Sequence, residues 1–236
     1  MKNKNSKTLL SSLDKSHVSR ISHITLVCFA VKEEAAPLMR LIHNHPALSV
    51  IVTGMGKLNA DSAVRSFFEQ QKPKLVLTCG FAGGLDPELT LGTVVFEENT
   101  GAGLGTFLEK HCAKRVKFFC ASRMIITPAE KRSLREKTGA DAVEMESGSI
   151  QALCSKRHIP CATVRIISDT ADEELPLDFN LLMAQDNSIS YARLGLALLK
   201  SPGKVPQMLS FRKRTTKVAE KLANVLKDVL QKHCGN

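Results

Sequence analysis

The chain has 236 residues, 43% of them apolar, and a formal net charge of +10; this length suits one α/β domain with an ordinary globular core. With one Tyr and no Trp it lacks the aromatic ladder that stacks single-stranded nucleic acid. Much of the basic excess sits at the two ends, in Lys2, Lys4, Lys7, Lys15 and Arg20 and between Lys204 and Lys232, which suits a solvated tail and a charged helix face better than a nucleic-acid groove.

Residues 1–22 are polar, basic and serine-rich and are expected as a loose tail, leaving 23–236 as a single domain. The run 24–31, ITLVCFAV, is short and β-branched, which predicts a buried strand; KEEAAPLMRLI then has helical spacing. A second strand is predicted over 48–54, ending at Gly54-Met55-Gly56-Lys57, with a helix over 58–71. The third strand, 74–85, ends in glycines; the fourth is 91–99; the fifth, RVKFFCASRMII, is 115–126. Pro128 opens a short charged helix to about Lys137. A sixth strand covers 141–146, a helix 147–157, and a seventh strand 161–169. Helices are expected over 178–185, 190–200 and 205–232. In the last of these Val218, Leu222, Val225, Leu226 and Val229 form one apolar stripe opposite lysines, which predicts a helix capping the sheet with a solvated face, against the alternative of a membrane-surface helix. Buried strands alternating with helices predict a three-layer α/β/α domain around a twisted, mostly parallel mixed sheet.

The seven cysteines (28, 79, 112, 120, 154, 161 and 234) form no C-x-x-C pair and several lie in apolar runs, which reads as reduced thiols in a cytosolic protein. The N-terminus has no apolar core of a secretory signal, and no apolar run is long enough to span a bilayer. His43-Asn44-His45, followed by Pro46 and without a third ligand nearby, reads as a surface turn.

Ligands of such sheets bind beyond the carboxyl ends of the strands, and this chain places its unusual residues there. Strand ends carry Lys32-Glu33-Glu34, Gly54 and Gly56, Gly80 through Gly84, Glu144-Met145-Glu146, and Arg165 with Ser168-Asp169. Each has a plain structural explanation: first-turn acids, tight turns, an N-cap. Their joint position at one sheet edge points instead to a site. The loop at Gly54 and Gly56 fits neither dinucleotide nor Walker patterns, because Asn59 stands at the third glycine position, Ile51 at the first Walker glycine, and Leu58 after Lys57. Its amides remain candidates for holding an anion or polarising a water. A carboxylate such as Glu146 suits a vicinal diol, and Met145 offers a soft face to a sugar or base. An Asp at the next strand end can protonate a leaving heterocycle and a third carboxylate can activate water. Together these groups describe N-glycosidic cleavage of a nucleoside.

On VTGMGKLNA, CGFAGGL, LGTVVFEE, AVEMES and VRIISDTADEE, the chain resembles the nucleoside phosphorylase and methylthioadenosine/S-adenosylhomocysteine nucleosidase superfamily from about Ile24 to about Leu182. The C-terminal SPGKVPQMLSFRKRT also resembles its hopanoid-associated phosphorylase branch. The resemblance implies that Glu146 binds the ribose diol with Met145 against the ring and Glu144 in support. It implies that Asp169, preceded by Ser168, protonates the purine, that Arg165 serves the same site, and that Glu34 activates water. Phe179 corresponds to an aromatic over the 5′ side, and Ile125 and Ile126 to the segment flanking the base. Gly80 and Phe81 fall at the nucleophile side. There the chain departs from the family: Thr78 and Phe81 stand where phosphorylases place phosphate-holding arginine and serine, and no arginine follows the first strand. The stretch between Gly84 and Met124 is shorter than in well-known nucleosidases. The expected activity is cleavage of the N-ribosyl bond of a purine nucleoside or adenosyl derivative. Alternatives are a nucleoside-binding sensor, a phosphorylase of a lipid-linked adenosyl substrate, and a basic nucleic-acid-binding protein. The resemblance further implies a homo-oligomer, dimer favoured, and the cysteine usage above a cytoplasmic location. No metal or organic cofactor is expected; inorganic phosphate is the alternative co-substrate.

Overall fold

The computed structural model describes residues 24–42, 45–99, 101–182, 184 and 191–234; the expected tail, residues 1–22, and His43-Asn44 of the expected turn lie outside them. In chain order the elements are β1 (Thr25–Phe29), α1 (Lys32–Leu41), β2 (Leu48–Val52), α2 (Lys57–Gln70), β3 (Leu75–Gly84), β4 (Val94–Asn99), α3 (Gly105–Lys110), β5 (Lys114–Arg115), β6 (Phe118–Cys120), α4 (Pro128–Thr138), β7 (Ala142–Glu144), α5 (Ser147–Lys156), β8 (Cys161–Asp169), α6 (Phe179–Leu182), α7 (Tyr191–Lys200) and, after a short 3-10 turn, α8 (Val205–Cys234).

The sheet runs β2-β1-β3-β8-β4-β5, with β7 paired to the far end of β3 and β6 to β7. Neighbours are parallel except β4 against β8 and β7 against β3, so it is the mixed, mostly parallel sheet expected. Its central strands β1, β3 and β8 are buried on both faces because alternate residues serve two cores. Val27, Phe29, Leu77 and Cys79 pack with α1 and with Leu222, Leu226 and Val229 of α8. Leu26, Cys28 and Val76 pack with Ala60 and Val64 of α2 and Ile150 and Leu153 of α5. The C-terminal stripe thus meets the sheet; Val225 is only partly buried at its margin.

The fifth strand differs from expectation. Residues 114–115 pair with β4, residues 118–120 pair with β7, and the chain then leaves the sheet. β7 has three residues, so 121–126 finds no ladder partner, and its apolar side chains pack as loop: Ile126 with Leu175 and Phe179, Ile125 beside Leu85, Ala140 and Val143. The sixth strand also stops early, at Glu144 rather than at residue 146, because the Glu144 carboxylate captures the amides of Glu146 and Ser147. The helix α3 was not anticipated. Of the expected helix 178–185, four residues are helical, and residues 183 and 185–190 lie outside the described set. Among the described residues, no helix is long and apolar enough to cross a membrane.

Candidate active site

Residues of β3, the end of β7 and the turn after it converge on Arg165 of β8, whose side chain is buried in the middle of the sheet. Its Nη2 lies 2.7 Å from Glu144 Oε2, 3.2 Å from Glu146 Oε2 and 3.1 Å from Thr78 Oγ1, and Nη1 donates to the Cys79 carbonyl at 3.2 Å. Burial works against this charge. The carboxylates of Glu144, Glu146 and Glu34 outweigh it, so the pKa of Arg165 is raised. Thr78, where a phosphate-holding arginine was missing, is therefore part of the Arg165 cradle.

Glu144 is wholly engaged by the protein. Its Oε2 accepts the N–H of Glu146 at 2.9 Å and of Ser147 at 2.7 Å, and Oε1 accepts the Ser147 hydroxyl at 2.7 Å. These bonds end β7 and turn the backbone so that Glu146 faces the same centre. Glu146 Oε1 accepts the N–H of Gly56 at 2.9 Å. In the structure the amide at the start of α2 thus meets the protein's own carboxylate. Gly54 and Gly56 adopt φ of 84° and 81°, which lets the chain turn into α2. Burial raises the pKa of Glu146, opposed by Arg165. Met145 is buried beside it.

Glu34 comes from the first turn of α1. Its Oε2 accepts from the amides of Ala30 at 3.0 Å and Val31 at 3.2 Å, and Oε1 from the amide of Phe81 at 2.8 Å. Gly80, at φ 140°, allows this approach: a Cβ there would fall 2.6 Å from Glu34 Oε1 and 2.8 Å from Arg165 Nη1. The Phe81 ring packs on the core under α8. Burial raises the Glu34 pKa to about 7, opposed by Arg165 and the Phe81 amide. A carboxyl poised near neutrality on this edge can exchange a proton with a nucleophile.

Asp169 ends β8 on the other side of Gly83, where a Cβ would stand 3.1 Å from its Oδ2. Its Oδ1 accepts the Ser168 hydroxyl at 2.7 Å. Its Oδ2 lies 2.6 Å from Nζ of Lys131, a fully buried lysine of α4 that also donates to the carbonyls of Thr170 at 2.6 Å and Glu173 at 2.8 Å. Lys131 was not among the candidate residues, because in PAEKRSLREKT it has the form of a solvated helix residue. Phe179 and Ile126 meet in an apolar cluster with Leu175, Leu177 and Leu182, and the Phe179 ring centre is 6.0 Å from that of Phe211. Ile125 faces a different cluster. A groove of 730 Å³ lies between residues 174–176 and the start of α8; Glu34, Glu146 and Asp169 do not line it.

Against known proteins, the family model of the phosphorylase superfamily matches residues 32–101 and 104–200. A 5′-methylthioadenosine/S-adenosylhomocysteine nucleosidase from Marinomonas sp. is 27% identical over 179 residues, covering 59% of this chain and 76% of that protein. An aminodeoxyfutalosine nucleosidase from Campylobacter jejuni is 26% identical, covering 62% of this chain and 78% of that one. A crystal structure of the Helicobacter pylori 5′-methylthioadenosine/S-adenosylhomocysteine nucleosidase superposes with a TM-score of 0.66 at 18% identity, over 89% of this chain and 99% of that chain; at that identity it shows the shared fold. The chain belongs to the phosphorylase superfamily, and it is an N-glycosidic bond-cleaving enzyme.

Proposed function

We propose that the protein hydrolyses the N-ribosyl bond of an adenosyl-type purine nucleoside. The observation that carries this reading is Glu34, held by three amides beside Arg165 and Glu146 with its pKa raised to about 7. Ionised, it accepts a proton from water as the water oxygen bonds C1′. The C1′–N electron pair leaves with the base, which is protonated on the Asp169 side. Glu146 accepts the ribose hydroxyls, Met145 lies against the ring, and positive charge developing on the sugar is offset by the surrounding carboxylates. Phe179 supplies the apolar wall for the 5′ side, and Ile126, in the same cluster, flanks the base.

Water is favoured over phosphate as nucleophile on charge grounds. Arg165 is already committed to two carboxylates and Thr78 to Arg165. A phosphate dianion there would meet Glu34, Glu144 and Glu146 with no free guanidinium among the site residues described. The relatives named above as nucleosidases support the same choice. The test is to incubate the protein with methylthioadenosine, S-adenosylhomocysteine, adenosine and inosine, with and without phosphate, and follow free base by chromatography. Release independent of phosphate is expected. Release that requires phosphate would replace this reading with a phosphorylase, and no release from any of the four would overturn the assignment of an adenosyl-type purine nucleoside as substrate.

A further inference from the structure

Lys131 is an expensive residue to bury. Its ammonium loses all hydration, and a buried lysine without full compensation is strongly unfavourable. Here each of its three N–H bonds has one acceptor: Asp169 Oδ2 at 2.6 Å, the Thr170 carbonyl at 2.6 Å and the Glu173 carbonyl at 2.8 Å. All three acceptors lie on the segment that leaves β8. The same segment is anchored from outside by Arg214, which pairs with the Glu173 carboxylate, and that carboxylate accepts the Thr170 amide at 3.0 Å. Two of the three bonds go to backbone carbonyls and tie the segment to α4. The third goes to a carboxylate whose other oxygen already has the Ser168 hydroxyl at 2.7 Å. Both Asp169 oxygens thus accept bonds from the protein, and the line from Nζ to Oδ2 is the one that carries an ionisable proton donor.

We propose that Lys131 is the positioning residue and proton store for Asp169, on the reading above that Asp169 serves the leaving base. As the C1′–N bond breaks, its electron pair goes to the base. The Asp169 Oδ2–H bond then breaks as a base N–H bond forms, and that Oδ2–H bond is made from a proton leaving Lys131 Nζ. The neutral amine left behind has two N–H bonds, one for each of the two carbonyls it faces. The proton lost from Lys131 is matched by the one that water delivers to Glu34, so the site returns to its starting state by exchange of one proton with solvent.

The experiment compares two leaving groups in the full chain: a purine nucleoside that the wild type cleaves, and 4-nitrophenyl β-D-ribofuranoside, whose phenolate departs without a proton. Lys131→Gln keeps amide donors for the carbonyls and removes the proton. Lys131→Arg keeps a charge but, as a guanidinium, holds its protons. Both are expected to lower kcat on the nucleoside by roughly 10²-fold or more, the size of a general-acid contribution. KM should stay within about threefold and the phenyl riboside rate within about fivefold. Equal losses on both substrates would mean a structural role only, and an Arg variant as active as wild type on the nucleoside would overturn the proton store. Should neither single variant fold, K131M/D169N, which removes both charges together, is compared with Asp169→Asn: no further loss is expected if Lys131 acts through Asp169, and an added loss sinks the idea. A wild type that cleaves no nucleoside would refute the reading of the site before Lys131 is reached.

Discussion

Among the described residues two cations are buried beside carboxylates, and they are built differently. Arg165 sits on a central strand and its planar fork reaches Glu144, Glu146, Thr78 and the Cys79 carbonyl at once. Lys131 sits on a peripheral helix and gives single bonds to Asp169 and two carbonyls of one short segment. The difference follows from side-chain chemistry: a guanidinium cross-links several elements with fixed geometry, whereas an ammonium is a point charge whose protons can leave. One side of the site is thereby locked as a charged scaffold, and the other holds a movable proton.

The largest test of this contrast is Arg165→Met. It leaves Glu144 and Glu146 buried together without their cation, and a loss of about 3–5 kcal/mol in urea denaturation is expected, or failure to fold. A midpoint equal to wild type would mean that the scaffold is not what holds the strand ends. Lys131→Met strands one carboxylate instead of two, so its loss should be the smaller, about 3 kcal/mol by the same measurement.

The second comparison is between stability and activity as pH changes. Burial holds the folded-state pKa of Glu34 at about 7 against 4.5 unfolded. The folded chain therefore binds the extra proton between these values. Its contribution to stability is full below pH 4.5 and declines as pH rises to about 7, by roughly 3 kcal/mol in the limit. Activity runs the other way, because water activation needs the ionised carboxylate, so kcat/KM should rise through about pH 7. In Glu34→Gln thermal melts should lose this part of the decline between pH 5 and 8, and base release should vanish. An unchanged slope in the variant would show that Glu34 is not the group that titrates.

Smaller effects separate positioning from support. Gly80→Ala pushes a methyl toward Glu34 Oε1 at a φ of 140°; about 1–3 kcal/mol of stability should be lost, with a larger proportional loss of activity because Glu34 must move. Thr127 caps α4 by accepting the Glu130 amide at 3.2 Å. Thr127→Ala should cost about 1 kcal/mol and leave kcat unchanged, since Lys131 is held by its own three bonds. A large kcat effect there would transfer the positioning role from those bonds to the helix start.

Much of the architecture was legible because buried parallel strands are short continuous apolar runs, and 24–31, 74–85 and 161–169 have that form. The stripe of α8 was legible for a similar reason: period fixes which face is apolar, and Leu222, Leu226 and Val229 are the residues in the core. RVKFFCASRMII has the same apolar look, but whether such a run pairs or packs depends on the length of its neighbour, and β7 is too short to hold it. The strand-end residues stood out as polar groups interrupting apolar patterns. Lys131 did not, since a lysine in PAEKRSLREKT looks like any solvated helix residue until the fold brings Asp169, Thr170 and Glu173 around it.

By itself, then, the sequence determined the alternation of buried strands and helices, because local period sets it, and it marked Glu34, Glu146, Arg165 and Asp169 as polar residues interrupting or ending apolar runs. Only the tertiary structure decided which amides and cations each carboxylate meets: Gly56 for Glu146, Phe81 for Glu34, Lys131 for Asp169. Those partners lie on elements far apart in the chain, and no local pattern records a contact whose energy comes from leaving water together.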